Sequence, residues 1–415
     1  MKIKVNIKLF IMSYIAMVVD ASYPNDIRVR KEAESLVYSG KKVLVICPRK
    51  KNDTKEENIN GVDIFRIGYN YSNYKKGLHD IFESIFNINL LFFFGIKEAF
   101  KKHNISYLHI HDLPLAGTGY QFKSKVKKLI LDMHENYPEA LKTWFLWKTN
   151  PIIKLKNFFF MNPTLWTFKE KRYCNKYDVI ICVVEEMKQK LITNFNINSD
   201  KLIVVSNFEK KEFAVNFLKS IAQNIITPLE FSITYVGGFG PHRGIDTAIK
   251  AMPQIVAKIP NATLFLIGKG SSSVEEKLKS IAKEFNTQEN VKFVGYRPFN
   301  EVSTIMQESN INIIPHKSNG HTDNTIPHKL FQIMMSKSLL LVSSCKPLKR
   351  IVEKYNCGVV FKADDVNDFA NKVIMIYDKG ALLKNKKENA FNAVMNQGEN
   401  WEEESLKLHN LYTNI

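Results

Sequence analysis

Two short stretches combine backbone freedom with positive charge in a way that suits an anion. The first is Gly237-Gly238-Phe239-Gly240-Pro241-His242-Arg243-Gly244, between the strand-like run Ser232 to Val236 and a helix expected to begin near Ile245. A glycine-rich strand-to-helix turn exposes backbone N–H groups at the positive helix end, and Arg243 adds a guanidinium, a combination suited to a diphosphate. The same residues fit a flexible turn with a surface arginine equally well. The second stretch is Thr325-Ile326-Pro327-His328-Lys329-Leu330-Phe331-Gln332, after the run Ile311 to Ile314 and the polar loop Pro315 to Asn324. Pro327 suits the first turn of a helix and puts Lys329 in that turn, where a cation opposes the helix dipole unless an anion neutralises it. That conflict favours phosphate over the plainer reading of a lysine at a solvated helix start.

The usual nucleotide signatures are incomplete. Gly238, Gly240 and Gly244 follow a strand, but Arg243 stands where a dinucleotide fingerprint needs its third glycine. Gly268-Lys269-Gly270-Ser271 has the outline of a phosphate loop, yet Thr263 occupies the place of that motif's first glycine. Hydride transfer to NAD and ATP hydrolysis lose support accordingly. His109 and His111 form an HxH pair without further ligands at metal spacing, and on a strand two such residues face one way for packing reasons. Cys47, Cys174, Cys182, Cys345 and Cys357 are scattered, mostly in apolar runs, and read as buried reduced thiols of a cytoplasmic protein.

Short aliphatic runs alternate with longer polar-apolar segments along the chain, the pattern of parallel sheets covered by helices. Strands are expected at Tyr14 to Val19, Val43 to Cys47, Asp63 to Ile67, Tyr107 to His111, Leu129 to Asp132, Val179 to Val183 and Leu202 to Val205. A second series runs through Ser232 to Val236, Thr263 to Ile267, Val291 to Val294, Ile311 to Ile314, Leu339 to Ser343 and Gly358 to Phe361. The reading is an α/β chain of two doubly wound, Rossmann-like units facing a central cleft, with the ligand in the cleft. Residues 1–206 form the first unit and 207–395 the second, while 396–415 carry a helix that returns to the first. The linker falls in Asn207 to Glu230, which lacks a strand pattern.

Over 415 residues, 59 Lys and Arg outnumber 41 Asp and Glu, for a formal charge of +18. Such a charge invites nucleic acid, an anionic membrane or an acidic ligand, and by itself chooses none. Leu141 to Lys176 concentrates it: Trp144, Phe145, Trp147, Phe158, Phe159, Phe160, Trp166 and Phe168 stand among eight Lys or Arg and one acid, Glu170. Rings beside cations suit an anionic membrane surface, a core under an aromatic helix pair, or, least of all, nucleic acid, for which no recognition motif is present. Leu9 to Val19 has the outline of a short signal peptide and is too short to span a membrane; a buried first strand fits better, with Met12 as an alternative start.

With these residues in view the chain resembles the retaining glycosyltransferases of family 4, which have the GT-B fold. The likeness runs over nearly the whole length. It rests on Pro24-Asn25-Asp26-Ile27-Arg28-Val29-Arg30-Lys31-Glu32-Ala33, Asp132-Met133-His134-Glu135-Asn136-Tyr137-Pro138-Glu139, Val236-Gly237-Gly238 through Arg243-Gly244, Ile267-Gly268-Lys269-Gly270, Val294-Gly295-Tyr296, Pro327-His328-Lys329-Leu330-Phe331 and the helix at Trp401.

The resemblance implies a metal-independent, hexosyltransferase-like enzyme without a cofactor, using a UDP- or GDP-linked sugar and a lipid-linked or oligosaccharide acceptor. Its setting would be cell-surface polysaccharide or glycolipid synthesis, in the cytoplasm or peripherally on the inner membrane face. It gives His134 a place near the transferred sugar and puts the donor diphosphate between the loop Gly237 to Gly244, with Gly238, Gly240 and Arg243, and the helix start Pro327 to Leu330. The family usually carries two glutamates with seven residues between them, one for the donor sugar and one for the nucleotide ribose; here Asn324 and Gln332 stand in their places. A carboxylate restored at 332 is expected to tighten nucleotide binding. Two alternatives accompany this reading: a binding or scaffolding subunit that has lost catalysis, and a nucleotide-sugar 2-epimerase, which needs additional carboxylates in the cleft.

Overall fold

The structure, a computed structural model, describes residues 13–68, 73–144, 151–216 and 231–413. Residues 9–12 of the apolar N-terminal run, with Met12, and Phe145, Trp147 and the linker residues 217–230 lie outside the described residues.

Two sheets carry the molecule. The first contains β1 (Tyr14–Val18), β2 (Lys42–Pro48), β3 (Glu56–Ile59), β4 (Val62–Ile67), β5 (Ile105–His111), β6 (Lys128–Met133), β7 (Val179–Cys182) and β8 (Leu202–Val204), in the order β3-β4-β2-β1-β5-β6-β7-β8. The second contains β9 (Phe231–Val236), β10 (Ala262–Ile267), β11 (Val291–Gly295), β12 (Ile311–Ile314), β13 (Leu339–Ser343) and β14 (Val359–Phe361), in the order β11-β10-β9-β12-β13-β14. The pairings are parallel except for β3 with β4. Every residue of β7, β10, β12 and β13 is buried, as expected of strands covered by helices on both faces. The expected apolar start is therefore a strand, β1, at the centre of the first sheet.

The sequence reading lacks β3. Its residues Glu56-Glu57-Asn58-Ile59 are exposed or half-buried and occupy a sheet edge, so no apolar run marks them. The signal that identifies the hairpin is Asn60-Gly61, with φ of 53° and 82°. Positive φ at both central residues is the type I′ geometry that matches strand twist.

In each sheet the chain reverses its direction of winding beside the first strand, between β1 and β5 and between β9 and β12. Loops leaving the carboxyl ends of these strands diverge there and open a crevice. The units also touch directly. Arg350 forks onto Glu186 at 2.7 and 3.1 Å, and the Asn136 Nδ2 donates to the Gly320 carbonyl at 2.8 Å.

The last helix, Trp401–Thr413, belongs spatially to the first unit. Trp401, Leu408, Leu411 and Tyr412 join the core formed by β1, β2 and the helix Ile27–Tyr38. Glu404 accepts the Ser206 N–H at 2.7 Å, and the Trp401 N–H reaches the Glu209 carbonyl at 2.9 Å, tying the helix to the segment between the units. Replacing a buried Trp by Ala costs about 3 to 5 kcal/mol. Trp401→Ala should accordingly lower stability by about 3 kcal/mol in urea unfolding, whereas Lys407→Ala, on the exposed face, should change it by less than about 1 kcal/mol.

Candidate active site

A cleft of about 1100 Å³ lies where the two crevices face each other. From the second unit, Gly237 and Gly238 follow β9, Gly268 follows β10, and Thr325, Pro327, His328, Lys329 and Gln332 surround the start of the helix Lys329–Met335; Arg243 completes that wall. From the first unit comes His134, one residue past β6. Three residues of the expected set do not line the cleft. Gly240 shapes its turn by accepting the Arg243 N–H at 3.0 Å, and the Asn324 side chain donates to the Gly320 carbonyl of its own loop at 2.8 Å. Leu330 is fully buried in the apolar core, because one residue past Lys329 the helix surface has already turned away from the cleft.

The glycines give the turns their tightness. At Gly244, φ is 65°, and a Cβ would stand 1.7 Å from the Pro315 carbonyl oxygen; at Gly268, φ is 127°, and a Cβ would stand 2.1 Å from the Gly237 carbonyl oxygen. No L side chain fits either place.

Cations dominate this wall. Arg243 Nη1 lies 3.1 Å from His316 Nε2. Lys329 is 7% exposed, its Nζ sits 4.0 Å from the centre of the Tyr235 ring, and that buried nitrogen has no hydrogen-bond partner among the described residues. Burial, then the Arg243 charge, pushes the Lys329 ammonium well below the usual lysine range. Burial and the same cations also hold His316 and His328 low, so neither imidazole adds charge at neutral pH. An anion placed between them would relieve the buried Lys329 and pair with Arg243.

Across the cleft the first unit holds a buried ionic network. Arg28 donates to both Asp132 oxygens at 3.0 and 3.2 Å and to the Val205 carbonyl at 3.2 Å, while its Nε lies 3.0 Å from Glu32 Oε1. Burial opposes the Asp132 charge, yet Arg28 and His134 outweigh it and keep this carboxyl well below the ordinary range. The expectation for the HxH pair is revised here: Glu32 and Asp132 come within 4.8 Å of His109 and His111. The helix Ile27–Tyr38 and β6 deliver these carboxylates from far along the chain, and Arg28, ion-paired with both, provides the positive charge among them. Tyr412 Oη, from the final helix, lies 2.8 Å from His109 Nδ1.

This network sets the state of His134. Its Nε2 is 3.0 Å from His111 Nδ1 and 3.5 Å from Asp132 Oδ2, and its Nδ1 is 3.6 Å from Asp112 Oδ2. Burial disfavours the imidazolium, but Asp112 and Asp132 outweigh it and push His134 up to about 10. Burial lowers His111 far below its normal value. With His134 charged, its Nε2–H donates to His111 Nδ1, and the neutral His111 carries its own proton on Nε2.

Glu209 and Lys31 also line the cleft, and neither is among the residues the sequence singles out. Gln332 Nε2 donates to Glu209 Oε2 at 2.7 Å, so the segment between the units brings a carboxylate to the position where this chain lacks the glutamate of the family pattern. Lys31, from the helix Ile27–Tyr38, bonds Asn207 Oδ1 at 3.1 Å and also the Phe208 carbonyl. Contacts spanning 123 and 176 residues leave no local spacing to read.

The state of His134 has a testable sign. The folded chain keeps the His134 proton up to about pH 10, whereas an unfolded histidine releases it near ~6.5. Unfolding between these values releases a proton, so the His134 contribution to stability is complete below ~6.5 and is lost as pH rises toward 10. NMR titration of ring-labelled histidines should find one imidazole still charged at pH 8, absent in His134→Gln and titrating lower in Asp112→Asn.

Comparisons with known proteins agree with this architecture. Residues 27–208 match the family model described as Glycosyltransferase Family 4, and residues 216–393 match that described as Glycosyl transferases group 1. An uncharacterized glycosyltransferase of Haemophilus influenzae is 24% identical over 196 residues, which cover 44% of this chain and 53% of that protein. The chain matches about half the length of its first curated relatives, 53% and 54%. Among solved structures, sucrose-phosphate synthase of Thermosynechococcus elongatus superposes with a TM-score of 0.75 at 18% identity, over 97% of this chain and 98% of that one. Anabaena HepE in complex with UDP-glucose superposes with a TM-score of 0.71 at 11% identity, over 97% and 100% of the two chains. At these identities the structures speak for the GT-B fold, and with both halves matched by the family models the chain belongs to the group 1 and family 4 glycosyltransferases.

Proposed function

We propose that this transferase moves a sugar, with retention of configuration, from a UDP- or GDP-linked donor to a cell-surface polysaccharide or glycolipid precursor. The donor diphosphate lies between Arg243 and Lys329. The observation that carries this reading is the Lys329 ammonium, buried, facing the cleft and without a hydrogen-bond partner among the described residues. In the reaction the bond from the sugar C1 to the β-phosphate oxygen breaks and its electron pair goes to the phosphate. The acceptor oxygen bonds to C1, and its proton passes to the departing diphosphate. Arg243 and Lys329 stabilise the charge that grows there, with no cofactor beyond the donor, and His134, as an imidazolium, donates to a hydroxyl of the transferred sugar.

Glu209 and Gln332 together are assigned to the nucleoside. With Glu209 only 2.7 Å away, Gln332→Glu would set two carboxylates against each other, so on this reading the effect expected of a carboxylate at 332 changes sign. Glu135, Glu209 and Glu212 also give the cleft carboxylates of the kind the epimerase alternative requires. Mass spectrometry of a nucleotide-sugar panel, with and without membrane extract, separates the readings: transfer yields a glycosylated acceptor and free nucleotide, whereas epimerisation needs no acceptor.

Contact with an anionic membrane through Leu141 to Lys176 is part of the proposal. Leu155, Phe158, Phe159 and Phe168 are 62%, 68%, 61% and 65% exposed, beside exposed Lys171 and Arg172. No helix among the described residues is long and apolar enough to cross a membrane. Rings and cations on one surface would hold the protein at the interface.

Three outcomes are expected. In calorimetry, Arg243→Ala and Lys329→Ala should each weaken UDP or GDP binding by about ten- to a hundredfold, and the double variant should lose less than the sum of the singles, since hydrogen bonds to charges contribute about 1.5 to 3 kcal/mol; unchanged affinity in both singles removes the donor from this cleft. Gln332→Glu should weaken the same binding, and the exchange Glu209→Gln with Gln332→Glu should restore it. Flotation with anionic liposomes should succeed at low salt, fade as salt is raised, and weaken in a variant with Phe158→Ala and Phe159→Ala.

A further inference from the structure

Arg243 takes its position from a loop as well as from its own turn. Residues 315–324, which follow β12, pack against the glycine turn, and the Pro315 carbonyl fills the space beside Gly244 where a Cβ would otherwise stand. His316 Nε2 is the atom 3.1 Å from Arg243 Nη1. The Lys317 N–H donates to the His242 carbonyl at 3.0 Å, and Lys317 Nζ pairs with Asp246 at 2.7 Å. Further along, His321 and Thr322 line the cleft themselves. A shift of this loop therefore moves the surroundings of Arg243.

The first unit holds the loop at one carbonyl oxygen. Gly320 O accepts from Asn136 Nδ2 of the first unit and from Asn324 Nδ2 of its own loop, both at 2.8 Å, which uses both lone pairs. Asn136 is 1% exposed, and its amide has one orientation: Lys190, which can only donate, bonds Oδ1 at 2.9 Å and leaves Nδ2 for Gly320. Lys190 is in turn gripped by both oxygens of the buried Glu170, at 2.8 and 2.7 Å. Turning the amide round would set like ends against each other at both of its partners.

Gly320 is also a matter of space. A Cβ there would stand 2.5 Å from Cγ and Cδ of Glu139, so at this residue the loop lies directly on the first unit. An amide at 324 follows from the same arrangement, because a carboxylate has no proton to give to the Gly320 oxygen and would repel it. Neither Asn136 nor Asn324 lines the cleft.

Resting on the reading of Arg243 as a diphosphate ligand, we propose that Asn136 is a positioning residue for the donor site. From the first unit it fixes the Gly320 carbonyl, together with Asn324, and through residues 315–324 it sets the Arg243 guanidinium for the phosphates. Donor affinity thereby depends on a hydrogen bond between the units that lies outside the cleft. By linkage, a bound nucleotide must also strengthen that bond.

Hydrogen exchange read by mass spectrometry on the full chain, with calorimetry using UDP and GDP, tests this. Asn136→Asp keeps the size of the side chain and its bond to Lys190, which holds the carboxyl ionised, but has no N–H to give. It should speed exchange at the amides of residues 315–324 by about three- to tenfold, the effect of losing one hydrogen bond, and weaken nucleotide binding by a similar factor. Gly320→Ala, made in the other unit, should do the same. Adding Glu139→Ala should restore the Gly320→Ala protein, since it removes the atoms that the new methyl meets, a rescue that general loss of stability would not show. The proposal is overturned if Asn136→Asp and Gly320→Ala leave loop exchange unchanged, if they speed it without weakening nucleotide binding, or if Glu139→Ala gives no rescue. If Arg243→Ala binds both nucleotides as wild type does, the donor assignment fails instead, and the exchange rates measured without nucleotide judge the hold of Asn136 on the loop by itself.

Discussion

A lysine side chain shut away from water, without a hydrogen-bond partner among the described residues, is the constraint around which the cleft is organised. Removing such a charge from water is costly, and proteins meet the cost with a counter-charge or by letting the proton go. Around Lys329 the structure offers the face of Tyr235 at 4.0 Å and the repulsion of Arg243, with neutral imidazoles where carboxylates would be expected. The glycines at 237, 244 and 268 bring the backbone close enough to confine the space, and two parallel sheets aim their strand ends into it. The proposed donor diphosphate would supply what this arrangement lacks, and would tie the transferase family of the chain to particular atoms.

The first unit solves the opposite problem. Arg28 is buried too, but it is ion-paired with Asp132 and Glu32, whereas Lys329 Nζ has no hydrogen-bond partner among the described residues. Its effect reaches the cleft through His134, held charged by Asp112 and Asp132. Tyr412 on His109 and Glu404 on Ser206 extend the same network to the last helix, so the end of the chain supports the residue at the centre of the cleft. The molecule thus sets the cation-rich wall of the second unit against the charged His134 of the first.

The strands were legible because central parallel strands are continuous apolar runs, and Ile311–Ile314 and Leu339–Ser343 fall where those runs do. β3 was not, being polar and at an edge, although Asn60-Gly61 announced its turn. In the site, what is contiguous could be read: the glycine turn with Arg243, and Lys329 at a helix start. A contiguous motif also over-recruits, since helix geometry sends Leu330 into the core while Lys329 and Gln332 face the cleft. What the fold assembles at long range could not be read, including Glu209 against Gln332, Lys31 against Asn207, and the carboxylates gathered around His109 and His111.

The account rests most directly on where the phosphates lie. A crystal structure of this chain with UDP or GDP should place oxygens of one diphosphate about 2.7 to 2.9 Å from both Lys329 Nζ and the Arg243 guanidinium, the spacing of charge-assisted hydrogen bonds. A nucleotide seated elsewhere, with Lys329 still against the Tyr235 ring and no anion beside it, would contradict the account.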